Sequence, residues 1–204
     1  MTTEYSQNAP DSETRKLLHY LNLVLYPMAG MGAAVRNFTA KLLEMLGYAD
    51  GDRIIFIRRT LPLGANSLAQ TDVCVMNDND EILLLMHENK LSNFKNPEPQ
   101  VIAEAIAAFN TNNSIRKSSM NPAPYAAITF PAIIMAGTDP IFYKITVTAE
   151  LSYAVHWGTY PINKTRVLRY IPDLPVREME NQKMRTLKNR VEILAYLEAF
   201  KQFL

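Results

Sequence analysis

The sequence predicts an α/β protein, a mixed β-sheet flanked by helices. Short runs rich in β-branched and apolar residues alternate with longer segments whose apolar residues recur at helical spacing. The run "EILLLMHENK" (81–90) opens with continuous apolar residues, the mark of a strand covered on both faces. Hydrophobic residues make up 48% of the 204, enough for a sizeable core. Read along the chain, the elements run helix, three strands, helix, two strands, helix, an order that wraps helices around one sheet.

Residues 1–11 read as a polar tail and 12–204 as one α/β domain, with a core over about 30–136 and an extension over 137–204. Ser12 is the expected N-cap of a first helix whose stripe is Leu17, Leu18, Leu21, Val24 and Leu25, ending before Pro27. Gly30 and Gly32 sit in a helix–helix turn. A second helix follows, with Val35, Phe38, Leu42 and Leu46 on one face and Gly47 as its stop. Residues 53–59 predict a strand, and 60–70, with Pro62 and Gly64, a loop. "TDVCVM" and "EILLLMHENK" form a hairpin through "NDND". A helix spans 97–110 and a polar loop 110–125. A second hairpin covers 126–148 and turns at Gly137–Pro140, with Pro131 at a strand start or an edge. "AELSYAVHWG" is a short helix whose Trp157 anchors the last helix. "TRVLRYIP" is a short strand, and a helix from Arg177 to the end buries Met184, Leu187, Val191, Leu194 and Leu197.

Charge is nearly balanced overall but unevenly spread: residues 1–109 sum to −4 and residues 110–204 to +5. An acidic half beside a basic one suits a metal-dependent site next to an anion-binding surface. Lys183, Arg185, Lys188 and Arg190 offer phosphate contacts on the terminal helix. Cys74 is the only cysteine, which excludes an intramolecular disulfide and a cysteine zinc site. There is no HExxH or GxSxG motif. No apolar run reaches membrane-span length and the first residues lack a signal-peptide core, so the expectation is an intracellular protein, cytoplasmic or nuclear, with no membrane partner.

The hairpin ends carry the chemistry. Glu88 and Lys90 are two apart on one strand and project together, and antiparallel pairing brings Asp72 to the same end. Two carboxylates about 4 Å apart repel by roughly 4 kcal/mol at an effective dielectric of 20, so they call for a cation between them. Mg²⁺ or Mn²⁺ is the natural occupant of a hard oxygen site. His87 faces away from Glu88 into the core. On the following helix, Gln100 and Glu104 share one face that can point back at the site.

This pattern resembles the PD-(D/E)xK nuclease superfamily, whose core is a helix, three antiparallel strands, a helix and a further strand. Asp72 matches the family aspartate, Glu88-Asn89-Lys90 the E-x-K, Glu44 the helical acid and Gln100 the glutamine after the motif. Thr71 stands where a proline is usual. The resemblance implies a restriction-endonuclease-like sandwich that hydrolyses phosphodiester bonds of DNA or RNA with Mg²⁺ or Mn²⁺. In that reading Asp72, Glu88, the Asn89 carbonyl and Glu44 hold metal, Lys90 positions the attacking water and Gln100 orients the ligands. The region from "GTDPIFYKITVTAEL" onward is also similar to uncharacterised fungal proteins with such a core. The alternative is a catalytically silent core used as an interaction or nucleic-acid-binding module, forming a homodimer through the Met-rich terminal helix.

Overall fold

Six strands form one mixed sheet in sequence order: β1 (Ile54–Pro62), β2 (Leu68–Met76), β3 (Ile82–Asn89), β4 (Ala127–Ala136), β5 (Asp139–Thr148) and β6 (Val167–Tyr170). The computed structural model describes residues 9–27, 33–89, 96–119, 122–180 and 182–204. The expected glycine turn at Gly30 and Gly32, Lys90, and residues 1–8 of the expected tail lie outside them. Only β3 and β4 run parallel; the other neighbours are antiparallel. The helices are α1 (Ser12–Leu25), α2 (Ala34–Met45), α3 (Glu98–Ser119), α4 (Ala149–Trp157) and α5 (Leu187–Phe200).

Strand alternation sorts the core into two layers. Val73, Val75, Leu84 and Met86 point to one face, where α1, α2 and α5 pack; Cys74, Met76 and Leu85 point to the other, under α3 and α4. The α3 crossover carries the chain from β3 to its parallel neighbour β4, the connection that parallel pairing demands. Pro131 lies one residue before the β3–β4 ladder begins at Ala132, where β4 is still an edge and its missing N–H costs nothing.

Several boundaries differ from the sequence reading, each for a local reason. Asp11 rather than Ser12 caps α1, its carboxylate accepting the Thr14 N–H at 2.8 Å. Residues 60–70 are mostly strand, because β1 and β2 continue to Pro62 and from Leu68 as a long hairpin arm. The second hairpin turns in two residues, Gly137–Thr138, with Gly137 at φ 60°. The last helix begins at Leu187, not Arg177. Its buried stripe is Asn189, Ile193, Leu197 and Phe200, which leaves Leu187 and Val191 exposed. Met184 is buried in the core. Trp157 is 61% exposed, with its ring against Tyr153 and His156 of its own helix.

The largest difference is α3, which runs to Ser119 through a stretch read as loop. Its asparagines serve as clamps for other segments. Asn112 accepts the Ile82 N–H at 2.8 Å and donates to the Ile82 carbonyl at 2.9 Å, finishing β3 on the edge that the β4 ladder, which begins at Leu85, does not reach. Asn113 grips Tyr125 in the same two-way fashion, and Asn189 of α5 grips Val176. Asn112→Ala is therefore expected to cost about 2–4 kcal/mol in urea denaturation, since two buried main-chain groups lose partners at once and each costs about 1–3 kcal/mol when orphaned. A loss well under 1 kcal/mol would show that Ile82 does not depend on this clamp.

The end of α2 fixes where the next strand starts. The Tyr48 N–H reaches Leu43 O and the Gly47 N–H reaches Glu44 O, with Gly47 at φ 74°, the bonding pattern of a Schellman cap. Tyr48 then turns inward, fully buried, and donates its hydroxyl to Leu197 O at 2.7 Å, joining α2 to α5.

Candidate functional site

Asp72 sits where β2 loses its main-chain partners on both sides. Toward β3, the ladder ends at Val73↔Met86. Toward β1, Ile57↔Val73 and Arg59↔Thr71 pair, while Arg58, opposite Asp72, makes no bridge and adopts φ 60°. That left-handed conformation costs a non-glycine residue about 1–2 kcal/mol. The strands thus splay at this point, and side chains fill the gap. Asp72 Oδ2 accepts the Glu88 N–H at 2.8 Å, and the buried Thr71 hydroxyl lies 2.9 Å from Val73 O and 3.2 Å from Met86 O across the gap. The Asp72 carboxylate replaces a missing ladder bond, and that fixes it beside Glu88.

Three further side chains converge here. From α2, Arg36 Nη1 lies 3.5 Å from Asp72 Oδ1 and 3.8 Å from Glu88 Oε2. These are ion-pair distances beyond hydrogen-bond range. Arg36 Nε, also buried, has no hydrogen-bond partner among the described residues. From the opposite face of β3, His87 Nδ1 shares a hydrogen bond with Glu104 Oε1 of α3 at 2.9 Å and lies 3.6 Å from Asp72 Oδ2. Glu104 is fully buried, and its Oε2 has no hydrogen-bond partner among the described residues.

The electrostatics follow from that packing. Burial pushes the His87 imidazole toward neutrality, but the bond to Glu104 and the charges of Glu104, Asp72 and Glu88 outweigh it and raise its pKa above the ordinary 6.5. Burial raises the Glu104 pKa, and the His87 bond restrains that rise. The result is a buried acid–base pair that holds Asp72 from behind while Arg36 holds it from the front.

The structure brings Asp72 and Glu88 together but leaves two of the other expected residues on the surface. Glu44 is exposed and paired with Lys41 at 3.1 Å, two turns of α2 (about 12 Å) beyond Arg36. Gln100 is exposed on the first turn of α3, one turn before the buried Glu104. Asn89 forms the last rung of the β3–β4 ladder, opposite Ala136. Lys90 lies outside the described residues.

Arg36 was missed by the sequence reading, although its signal is visible: a cation on the stripe that continues through Thr39, Ala40 and Leu43, all buried. The C-terminal cations do not form one face. Lys183 and Arg185 belong to a 3₁₀ turn before α5, the Lys183 ammonium 3.9 Å from Asp139. Arg190 Nε and Nη2 donate to Met184 O, and Arg185 and Lys188 are exposed.

The donor set fits a hard cation only in a sparse form. Among the described residues no group of three or more His, Cys, Asp or Glu side chains is arranged to hold a metal ion. Asp72 and Glu88 offer two carboxylates side by side, a set that suits an ion such as Mg²⁺ that keeps several waters. The Arg36 guanidinium now lies between the carboxylates at ion-pair distances beyond hydrogen-bond range of both. No helix of the described chain is long and apolar enough to cross a membrane. No protein-family model matches the chain, and no curated protein is similar to it.

Proposed function

We propose that the chain is a divalent-metal-dependent nuclease that hydrolyses phosphodiester bonds of DNA or RNA at the splayed ends of β2 and β3. The observation that carries this reading is the pairing of Asp72 and Glu88 across a gap in the ladder, both within 3.8 Å of one cationic nitrogen. The element order supports it as well: α2, three antiparallel strands, α3 and a further strand follow one another in the order that the resemblance to the PD-(D/E)xK superfamily implies.

In this reading Asp72 and Glu88, with the Asn89 carbonyl, bind Mg²⁺ or Mn²⁺. When bound, the ion acidifies a water and polarises the scissile phosphoryl group. Lys90 holds the attacking water and stabilises the charge that develops on phosphate. His87 and Glu104 keep the Asp72 carboxylate turned toward the gap. Glu44 and Gln100, exposed and away from the strand ends, take no part in this reading. Arg36 swings off the carboxylates to meet the substrate's phosphate.

One observation favours a second reading. Arg36 already sets one cation against Asp72 and Glu88 and offsets part of their repulsion, as a catalytically silent interaction module or homodimer would have it. Cleavage of single- and double-stranded DNA and RNA by wild type and Lys90→Ala, with and without Mn²⁺, separates the two. The nuclease reading expects Mn²⁺-dependent cleavage that falls at least about 100-fold in Lys90→Ala, the scale of one lost charge-stabilising group. It also expects millimolar Mn²⁺ to raise the melting temperature, because the ion binds only the folded chain. No cleavage and an unmoved melting temperature would establish the silent module.

A further inference from the structure

An exposed aromatic surface lies at the end of α4, apart from the site. Tyr153 and Trp157, one turn apart, are 68% and 61% exposed; Tyr160 and Ile162 in the following loop are almost fully exposed. The Tyr153 and Trp157 rings are 6.3 Å apart and tilted by 58°, so they do not cover each other's faces. Isolated exposed apolar residues are ordinary, but three open aromatic rings within eight residues are a patch that calls for an occupant.

The patch is built, not slack. Gly158, at φ 65°, closes α4 with bonds from its own N–H to Val155 O and from the Thr159 N–H to Ala154 O. Glu150 then ties the loop to the first turn of α4. Its Oε1 accepts the N–H groups of Ile162 and Asn163 at 2.9 and 3.1 Å, and its Oε2 accepts the Asn163 amide at 2.7 Å. Those bonds hold the Glu150 carboxyl below the usual carboxylate range.

Charge identifies the occupant. From 149 to 172 Glu150 is the only carboxylate, and the loop has consumed it; Lys164 and Arg166 stand exposed on the same loop with no ion pair among the described residues. Lys117, Tyr153 and His156 line an adjoining cleft of about 440 Å³. Open rings beside uncommitted cations, on a segment with no free acid of its own, match a chain of unpaired bases on a phosphate backbone. We infer that α4 and the 158–166 loop bind single-stranded nucleic acid, bases stacking on Tyr153, Trp157 and Tyr160 and phosphates meeting Lys164 and Arg166. This inference rests on the nucleic-acid reading of the site and adds that the substrate is engaged through unpaired bases.

Trp157 is the only tryptophan, so its fluorescence reports occupancy directly. The full chain is titrated with a 20-nucleotide oligo(dT) in EDTA, where no cleavage can intervene. Saturable quenching is expected. Tyr153→Ala and Tyr160→Ala should each weaken binding about tenfold, within the range of one lost base–aromatic stack. Lys164→Gln with Arg166→Gln should lower the log–log salt slope by roughly 1.4. All four side chains are exposed, so circular dichroism should be unchanged. Absence of quenching, or unaltered affinity in both ring variants, overturns the inference. A blue shift with phosphatidylserine-containing vesicles and no response to oligo(dT) overturns it in favour of a membrane surface. Binding without Mn²⁺-dependent cleavage overturns the nuclease reading alone; cleavage without this binding overturns the platform alone.

Discussion

Asp72→Asn and Glu88→Gln should each reduce Mn²⁺-dependent cleavage by about three orders of magnitude and leave the fold standing. The magnitude is what several kcal/mol of charge stabilisation at a metal site amounts to in rate. Both changes keep shape and remove charge. Asparagine at 72 still offers an oxygen to the Glu88 N–H, so the splayed ladder keeps its substitute bond. What is lost is half of the negative charge that faces Arg36 and would face a metal. Cleavage and thermal melts of the two variants check the result together. Activity equal to wild type in either variant would remove that residue from the site. Unfolding of both would mean that their pairing with Arg36 is a structural need, which is the silent-module outcome.

The sheet was legible because its signals are local. Alternation in "TDVCVM", the apolar opening of "EILLLMHENK" and the polar turn between them depend only on neighbours in sequence, and the structure has that hairpin. Asp80 takes φ 62° there, and Asn77 Oδ1 accepts the N–H groups of Asn79 and Glu81. The second half of α3 was not legible, because Asn110, Asn112 and Asn113 carry the same local preference for turns. Their use is decided by partners 12 to 47 residues away, in Leu63, Ile82 and Tyr125. The buried stripe of α5 was misread for the same reason: Asn189 looks like a surface residue and is fully buried on Val176.

The candidate site divides along the same line. Asp72 and Glu88 were readable as strand ends of one hairpin. Their convergence does not follow from alternation, because the continued register would set Asp72 beside His87 and Glu88 beside Thr71. It follows from the splay that Arg58 and the broken ladder create, and no residue spacing announces that. Glu104 lies on the buried helix face, but Gln100, one turn earlier, is exposed. The helical group facing the strand ends is the cation Arg36 and not the acid Glu44.

His87→Leu should cost about 3–5 kcal/mol at pH 7.5, because it leaves Glu104 as an unpaired charge with no exposure at all. The pH dependence gives the mechanism away. In the folded wild type both pKa values lie above their ordinary 4.5 and 6.5, so the folded chain binds more protons than the unfolded one and stability falls as pH rises. For His87 the gain is complete below pH 6.5 and disappears as pH climbs through the raised folded value. Without His87, burial and then the Asp72 charge both push the pKa of Glu104 up, with nothing opposing them. Its carboxyl then stays protonated further up the scale, and the variant's deficit should be small near pH 5 and grow toward pH 8. Removing both charges, in His87→Leu/Glu104→Leu, should restore most of the loss and flatten the profile, since a buried ion pair replaced by apolar groups of similar size is often neutral or stabilising. Urea denaturation of the three chains at pH 5, 6.5 and 8 decides the matter. If the double variant loses the sum of the two single losses, the residues are coupled by packing and not by charge, and the acid–base pair behind Asp72 has no electrostatic part in holding it.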